Sequence, residues 1–105
     1  MLLKKILITG HSGFIGQHLT KSLKEKYQLF GLSRKFLDVD IINIQKDITK
    51  IVIEDIPDDI DCIIHLAGLN DVYYCQENPS KCFEINIDGT QKILEIARQK
   101  KLKVI

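Results

Sequence analysis

A short apolar run, Lys5 to Thr9 (KILIT), leads directly into a turn whose three glycines follow the spacing GxxGxxG. An uninterrupted apolar run of this kind is typical of a strand that is buried on both faces of a sheet. Behind the turn, Phe14 to Lys26 alternates apolar and charged residues with the period of an amphipathic helix. A buried strand, a glycine turn and a helix in this order predict an α/β arrangement, because the helix must pack back onto the sheet.

The same alternation continues along the chain. Further strands are predicted at Gln28–Ser33 (QLFGLS), at Ile41–Ile44 (IINI), from Cys62 (CIIHLAG) and from Lys103 (KVI). The run IVIED after Thr49 fits either a short helix or an extended segment. We therefore expect a single α/β domain, a doubly wound parallel sheet with helices on both faces.

A long helix is predicted between the last two strands. Asn78 and Pro79 supply a cap and a proline suited to the first helical turn, and the helix can continue to about Lys100. Apolar residues at helical spacing should face the sheet. On that face we expect Phe83, Ile87, Ile93, Leu94 and Ala97.

Composition limits the partners that this chain can have. Its 105 residues carry 15 Lys and Arg against 14 Asp and Glu, so the net charge of +1 gives no basic field for a nucleic acid. No apolar run approaches the roughly 20 residues that span a membrane, and the amino terminus lacks the layout of a signal peptide. These features predict a cytoplasmic protein. Cys62, Cys75 and Cys82 are odd in number and do not form a CxxC pair, which favours reduced structural thiols.

Each glycine of the turn has a separate steric role. Gly10 permits a sharp turn, Gly13 has no Cβ to block a phosphate, and Gly16 lets the helix pack closely on the sheet. The first backbone N–H groups of the helix and its dipole favour an anion above the strand, and a pyrophosphate suits this position. The alternative is a plain tight turn, since turns use glycine for geometry alone.

The stretch TGHSGFIG (Thr9 to Gly16) closely resembles the TGxxGFIG fingerprint of the extended short-chain dehydrogenase/reductase family, which includes NAD-dependent epimerases and dehydratases acting on nucleotide sugars. Three further stretches resemble later motifs of that family in the right order. They are Asp47-Ile48, the stretch Asp61 to Gly68 (DCIIHLAG, against DxVIHLAA), and Val72 with Asn78-Pro79 and Asn86 to Thr90 (NIDGT, against NVxGT). Together the motifs cover nearly the whole chain.

The resemblance implies a Rossmann-like doubly wound parallel sheet of strand order 3-2-1-4-5, truncated at about the fifth strand. It also implies a cofactor site. The pyrophosphate would lie against Gly10, Gly13, Phe14, Ile15 and Gly16, the adenine against Asp47 and Ile48, and the nicotinamide end beside Leu66, Ala67 and Gly68. Asn86 resembles the family's asparagine in the NxxGT helix. His11 lies in the turn itself and either hydrogen-bonds the cofactor or is solvated.

The end of the second strand bears on the choice of cofactor. NAD-specific relatives have an acidic residue there, which binds the ribose hydroxyls, whereas this chain has Ser33 and Arg34. A guanidinium can bind a 2′-phosphate and a hydroxyl can donate to it. NADP is therefore favoured over NAD. Asp38 and Asp40 follow closely enough to serve the ribose instead, and Arg34 also fits a solvated turn residue.

The proton relay of the family is absent from this sequence. The relay needs a TyrxxxLys pair, whereas Tyr27, Tyr73 and Tyr74 are followed four places on by Gly, Glu and Asn. We therefore expect a dinucleotide-binding amino-terminal part of a nucleotide-sugar epimerase, dehydratase or reductase that is inactive by itself. The alternatives are a noncatalytic dinucleotide-sensing or protein-interaction module of the same fold, and a flavodoxin-like domain without a dinucleotide site.

Two smaller expectations concern a histidine and an apolar face. His65 lies within the fourth strand and is most simply a packed residue with a satisfied ring nitrogen. A sheet that ends at its fifth strand leaves an uncovered edge and an exposed apolar face, and such a face favours a homo-oligomer.

Overall fold

A five-stranded parallel sheet forms the centre of the structure, a computed structural model that describes residues 4–37 and 40–105. Its strands are β1 (Lys5–Thr9), β2 (Gln28–Ser33), β3 (Ile42–Gln45), β4 (Cys62–His65) and β5 (Lys103–Val104). They lie in the order β3-β2-β1-β4-β5, and each neighbouring pair is parallel. This order confirms the Rossmann-like sheet expected from the sequence.

Helices and short helical turns connect the strands and cover both faces of the sheet. Helix α1 (Phe14–Leu23) joins β1 to β2, and two short 3₁₀ turns, Ile48–Lys50 and Ile53–Asp55, follow β3. After β4 come α2 (Val72–Glu77), α3 (Pro79–Phe83), a π-helical segment (Glu84–Asp88) and α4 (Gly89–Lys100). Helix α1 thus ends earlier than predicted, α2 was not predicted, and the long helix contains a π-helical segment.

Alternate residues of the central strand belong to two separate cores. Leu7 of β1 packs with Ile63 of β4 and Ile93 of α4, and all three side chains are fully buried. Ile6 and Ile8 point to the opposite face and pack against α1. Each fully buried Leu or Ile contributes about 1.5–3 kcal/mol to folding, so the apolar run of β1 stabilises both layers at once.

The face of the long helix that meets the sheet differs from the prediction. Phe83, Ile87 and Leu94 are 62%, 51% and 51% exposed, so the expected placement of these three residues was wrong. The buried face consists of Cys82, Ile85, Gly89, Ile93, Ile96 and Ala97. The reason is a close approach: a Cβ on Gly89 would lie 2.9 Å from Cγ2 of Ile48, so the glycine side of the helix is the one that fits against the 3₁₀ turn.

A disulfide joins Cys75 and Cys82, whose Cα atoms are 5.5 Å apart. The prediction of three reduced thiols was therefore wrong for this pair. The chain turns at Asn78, which occupies the amino-terminal cap position of α3 without a capping bond from its side chain, and the turn brings the two cysteines together from α2 and α3. Cys62 is a free thiol, and burial raises its pKa, as expected of an unreactive structural cysteine.

Within residues 4–37 and 40–105, no helix is long and apolar enough to cross a membrane. The same residues contain no group of three or more His, Cys, Asp or Glu side chains that could hold a metal ion.

Candidate functional site

A cleft of about 270 Å³ opens at the carboxyl ends of the strands, where the glycine turn meets the loops that follow β2, β3 and β4. In open parallel sheets, ligands bind in this position. Many of the residues predicted to contact a cofactor line the cleft: Gly10, Gly13, Ser33, Arg34, Asp47, Ile48, Leu66, Ala67 and Gly68. The other predicted residues, His11, Phe14, Ile15, Gly16 and Asn86, lie outside its lining.

The first and third glycines of the turn are required by sterics. Gly10 has a φ of +73°, and a Cβ there would lie 2.7 Å from the backbone nitrogen of Ala67. A Cβ on Gly16 would lie 2.3 Å from the carbonyl oxygen of Gly10. A side chain at either position would push the turn away from the loop after β4 or the helix away from the turn.

Gly13 differs from the other two glycines because a Cβ there would meet only the carbonyl oxygen of Gly10, at 3.4 Å. Its backbone is extended, with φ of −75° and ψ of 177°, and it forms the amino-terminal cap position of α1. No side chain of the described residues caps this helix end, and the first turn of α1 contains no acidic residue. The uncapped helix end beside the cleft therefore suits an anion.

His11 is fully buried although it lies in a glycine turn. Its Nε2 lies 2.7 Å from Oδ1 of Asn43 in β3, and its ring packs so closely on Gly31 that a Cβ there would lie 2.3 Å from the imidazole. His11 is thus neither in the lining of the cleft nor solvated, the two possibilities raised by the sequence. The signal for this contact was Gly31, a glycine in the middle of an otherwise apolar strand.

A basic segment borders the cleft at the end of β2. Arg34 and Lys35 both line it, and Lys35 is a residue that the sequence reasoning missed, although it directly follows Arg34. Its backbone N–H donates to Oγ of Ser33 (3.1 Å), which lies 2.6 Å from Oγ of Ser12 in the glycine turn. Asp40 lies outside the lining, and Asp38 falls outside the described residues.

The carboxylate of Asp47 caps the 3₁₀ turn after β3. Its Oδ1 accepts hydrogen bonds from the backbone N–H of Thr49 (2.9 Å) and from the Thr49 hydroxyl (2.8 Å). Both bonds hold the pKa of Asp47 below its usual value, and the bond from the backbone N–H has the larger effect. Ile48, the next residue, is buried beneath the cleft.

His65 fixes the loop that follows β4. It is a packed residue as predicted, and both of its ring nitrogens have partners. Thr9 Oγ1 lies within hydrogen-bonding distance of the backbone N–H groups of Leu66 (3.1 Å) and Ala67 (3.2 Å), so its own proton can go to Nδ1 of His65 (2.7 Å). Nε2 then carries the ring proton and donates to Oγ1 of Thr90 in α4 (2.8 Å). Burial lowers the pKa of His65, which favours this neutral form.

Asn86 acts on the same loop from the π-helical segment. Its Oδ1 accepts from the backbone N–H of Leu69 (2.7 Å), and its Nδ2 donates to the Leu69 carbonyl oxygen (2.8 Å). Leu69 lines the cleft although Asn86 does not. Asn86 therefore shapes the wall of the cleft through the backbone.

Comparisons with known proteins match this architecture. The model of the NAD dependent epimerase/dehydratase family matches residues 6–105. CDP-paratose 2-epimerase of Salmonella typhi is 34% identical over 90% of this chain and 33% of its own length, and UDP-N-acetyl-alpha-D-glucosaminuronate decarboxylase of Bacillus cytotoxicus is 31% identical over 97% of this chain and 35% of its own. The chain spans about a third of the length of these curated relatives.

Solved structures give the same result. L-threonine dehydrogenase from Clostridium difficile superposes with a TM-score of 0.83 at 30% identity, covering 99% of this chain and 36% of that one. MoeE5 in complex with UDP-glucuronic acid and NAD superposes with a TM-score of 0.88 at 26% identity, covering 95% of this chain and 35% of that one. Since the family model matches nearly every residue, the chain belongs to the NAD-dependent epimerase/dehydratase family.

Proposed function

We propose that the cleft binds a nicotinamide dinucleotide, with the pyrophosphate over Gly13 and the amino-terminal end of α1. The observation that carries this proposal is the difference between the three glycines: Gly10 and Gly16 are closed in by backbone, whereas Gly13 opens onto the cleft. A site for an anion needs this combination of a rigid turn and one position without a Cβ. NAD bound to MoeE5, which has the same fold, supports the same ligand class here.

The residues at the end of β2 favour NADP(H) over NAD(H). Arg34 and Lys35 border the cleft there, and the hydroxyl of Ser33 lies between them and the turn. A guanidinium and an ammonium stabilise a 2′-phosphate, whereas the carboxylate that serves a ribose diol would repel it. Asp47 also lines the cleft, but its Oδ1 is already held by Thr49.

Leu66, Ala67 and Gly68 form the opposite wall of the cleft, beside which the nicotinamide end would lie. The bound nicotinamide supplies hydride transfer. We expect these residues to hold the ring and to exclude water. They are suited to this role because Thr9 and Asn86 accept hydrogen bonds from the backbone of the loop and so fix its position.

For the whole protein we infer a nucleotide-sugar substrate, supported by relatives such as CDP-paratose 2-epimerase. The similarity to an L-threonine dehydrogenase shows that this portion of the fold accompanies other substrates as well. The 105 residues contain no TyrxxxLys pair, so we expect them to bind the dinucleotide without turnover.

Titration of the folded chain with NADPH and with NADH, followed by nicotinamide fluorescence and by calorimetry, tests the proposal. We expect both to bind and NADPH to bind more tightly. Arg34→Ala should weaken NADPH binding by about threefold to tenfold, because an exposed cation gives a modest charge-assisted contact, and should leave NADH nearly unchanged. The matched control is Arg98→Ala, an exposed arginine on α4 that pairs with Glu95.

Absence of binding of either dinucleotide at millimolar concentration, by a chain that circular dichroism shows to be folded, would refute the proposal. Equal weakening by Arg34→Ala and Arg98→Ala would refute the assignment of the 2′-phosphate while leaving the dinucleotide site in place. A stable, dinucleotide-binding product that occurs naturally at this length would instead favour the noncatalytic sensing module.

We also propose self-association through the exposed stripe of Phe83, Ile87 and Leu94. These three large apolar side chains lie at helical spacing, and each is more than half exposed. Exposure of such an apolar patch to water is unfavourable, and association would bury it. Sedimentation equilibrium should show a concentration-dependent dimer, and Leu94→Lys should shift it toward monomer. A strictly monomeric chain at all concentrations would contradict this proposal.

A further inference from the structure

We propose that His11 is a positioning residue that sets the preference of the cleft for NADP(H) over NAD(H) without touching the cofactor. The proposal rests on the proposed dinucleotide site. His11 acts through Asn43 on the backbone of Leu37, and thereby on the placement of the Arg34–Lys35 segment. The starting observation is that a residue of the phosphate turn directs its side chain away from the cleft and into the structure beneath the basic segment.

The hydrogen bonds of Asn43 define the direction of this contact. The backbone N–H of Leu37 donates to Oδ1 of Asn43 (3.1 Å), and Nδ2 of Asn43 donates to the carbonyl oxygen of Leu37 (3.1 Å). This pair of bonds fixes which end of the amide is the oxygen. Because Oδ1 is an acceptor, Nε2 of His11 is the donor in the 2.7 Å contact. His11 thus donates a hydrogen bond to the same Asn43 oxygen that accepts from Leu37.

A second connection runs in parallel from the neighbouring residue of the turn. Ser12 Oγ lies 2.6 Å from Ser33 Oγ, which accepts from the backbone N–H of Lys35. The basic segment is therefore held at both ends by the two residues between Gly10 and Gly13, at its start by Ser12 and beyond its end by His11. Arg34 and Lys35 lie between these two points and line the cleft.

Packing makes the connection through His11 rigid. The imidazole occupies the space above Gly31 so completely that a Cβ at that position would lie 2.3 Å from Cγ and Cδ2 of the ring. The ring therefore cannot move toward β2. Its Nδ1 is buried with no hydrogen-bond partner among the described residues, a cost that an apolar side chain would avoid. However, an apolar side chain at position 11 would lose the hydrogen bond that Nε2 donates to Asn43.

The two halves of the cofactor should respond differently to loss of this donor. The pyrophosphate would be bound by the turn and the start of α1, whose backbone packs closely on other backbone at Gly10 and Gly16. The 2′-phosphate would be bound by side chains of the basic segment, and its affinity depends on how well that segment is preorganised. Loss of the donor should therefore weaken NADP(H) binding more than NAD(H) binding.

The test compares the ratio of the dissociation constants for NADH and NADPH across variants of the full 105-residue chain. His11→Ala and Asn43→Ala should each lower this ratio by about fivefold, the effect of unfixing one or two loop side chains. The double variant should lower it no further, because both residues belong to one connection. His11→Gln, whose amide nitrogen can replace Nε2 as donor, should keep the ratio within about twofold of the original.

Thr20→Ala is the matched control, because Thr20 is equally buried, lies in α1 and has no hydrogen-bond partner for its hydroxyl among the described residues. It should change the melting temperature without changing the ratio. If His11→Ala does not fold, Asn43→Ala and His11→Gln decide the question. An unchanged ratio in folded Asn43→Ala, or an equal fall in Thr20→Ala, would overturn the inference. If the original chain binds neither dinucleotide, the proposed function fails first and this inference with it.

Discussion

Substitution of Gly13 by alanine should separate folding from ligand binding within a single motif. Gly13 has a φ of −75°, which any L-residue adopts, and the new Cβ would meet only the Gly10 carbonyl oxygen at 3.4 Å. Restriction of the unfolded chain by Gly→Ala at such a compatible φ raises the free energy of unfolding by about 0.4–1 kcal/mol, but alanine is disfavoured relative to glycine at the amino-terminal cap of a helix by a similar amount. The two effects offset one another, so the melting temperature should stay within about 3 °C of that of the original chain.

Dinucleotide binding should change far more than stability. The methyl group would project into the cleft that Gly13 lines, where the pyrophosphate must approach the first N–H groups of α1. Loss of one hydrogen bond to a charged group costs about 1.5–3 kcal/mol, which corresponds to a roughly 10- to 150-fold weaker affinity for NADPH. Calorimetric titration and thermal unfolding of the same preparation measure both effects.

Gly16→Ala is the comparison, because Gly16 belongs to the same glycine motif, in the first turn of α1, but does not line the cleft. Its Cβ would lie 2.3 Å from the Gly10 carbonyl oxygen and 2.6 Å from Cα of His11, and both are backbone atoms that cannot swing aside. We expect a loss of about 1–3 kcal/mol or more in the free energy of unfolding. The reasoning is refuted if Gly13→Ala binds NADPH as well as the original chain, or if Gly13→Ala is destabilised as much as Gly16→Ala.

Three further predictions concern pH and the disulfide. Burial lowers the pKa of folded His65 below its usual value of 6.5, so the unfolded chain takes up the proton first as the pH falls. The free energy of unfolding, measured in urea, should therefore be constant above pH 6.5 and should fall below it. This fall should be smaller in His65→Gln. Hydrogen bonds from Thr49 lower the pKa of folded Asp47, so its contribution is present above about pH 4 and is lost as the pH falls through the folded value; Asp47→Ala should cost about 1 kcal/mol at neutral pH and remove this acid dependence. Reduction of the Cys75–Cys82 disulfide should lower the free energy of unfolding by about 2.5 kcal/mol, as expected for a loop of this length, and Cys82→Ser should be equally destabilised but insensitive to the reductant.

The strands were predictable from the sequence because their residues are buried on both faces. Lys5–Thr9 and Gln28–Ser33 are predicted and observed with the same bounds, since both runs end where glycine or a charged residue follows. Ile42–Gln45 is shifted by one residue from its prediction. It is an edge strand and is half exposed, so its pattern carries less information than that of a central strand.

The long helix shows why its buried face could not be chosen from the sequence. Two apolar stripes run along it, one with Phe83, Ile87 and Leu94 and one with Ile85, Gly89, Ile93 and Ile96. Hydrophobicity alone does not separate the two stripes, and the predicted face combines members of both. The structure buries the second, because only a glycine admits Ile48 so close to the helix axis. Such a close approach depends on a residue far away in the sequence, and helical periodicity contains no information about it.

The motif residues of the site fall into two groups, those that line the cleft and those that support its loops. Gly10, Gly13 and the stretch Leu66 to Gly68 line the cleft, whereas His11 and Asn86 hold the loops that form it. A motif records both kinds of residue without distinguishing them, because selection for a ligand also selects the supports of its contacts. His11 is the informative case: its place in the turn suggests a ligand contact, but Gly31 and Asn43 determine where its ring lies. Residues that control ligand choice in this fold should therefore be sought beneath the loops as well as in the cleft.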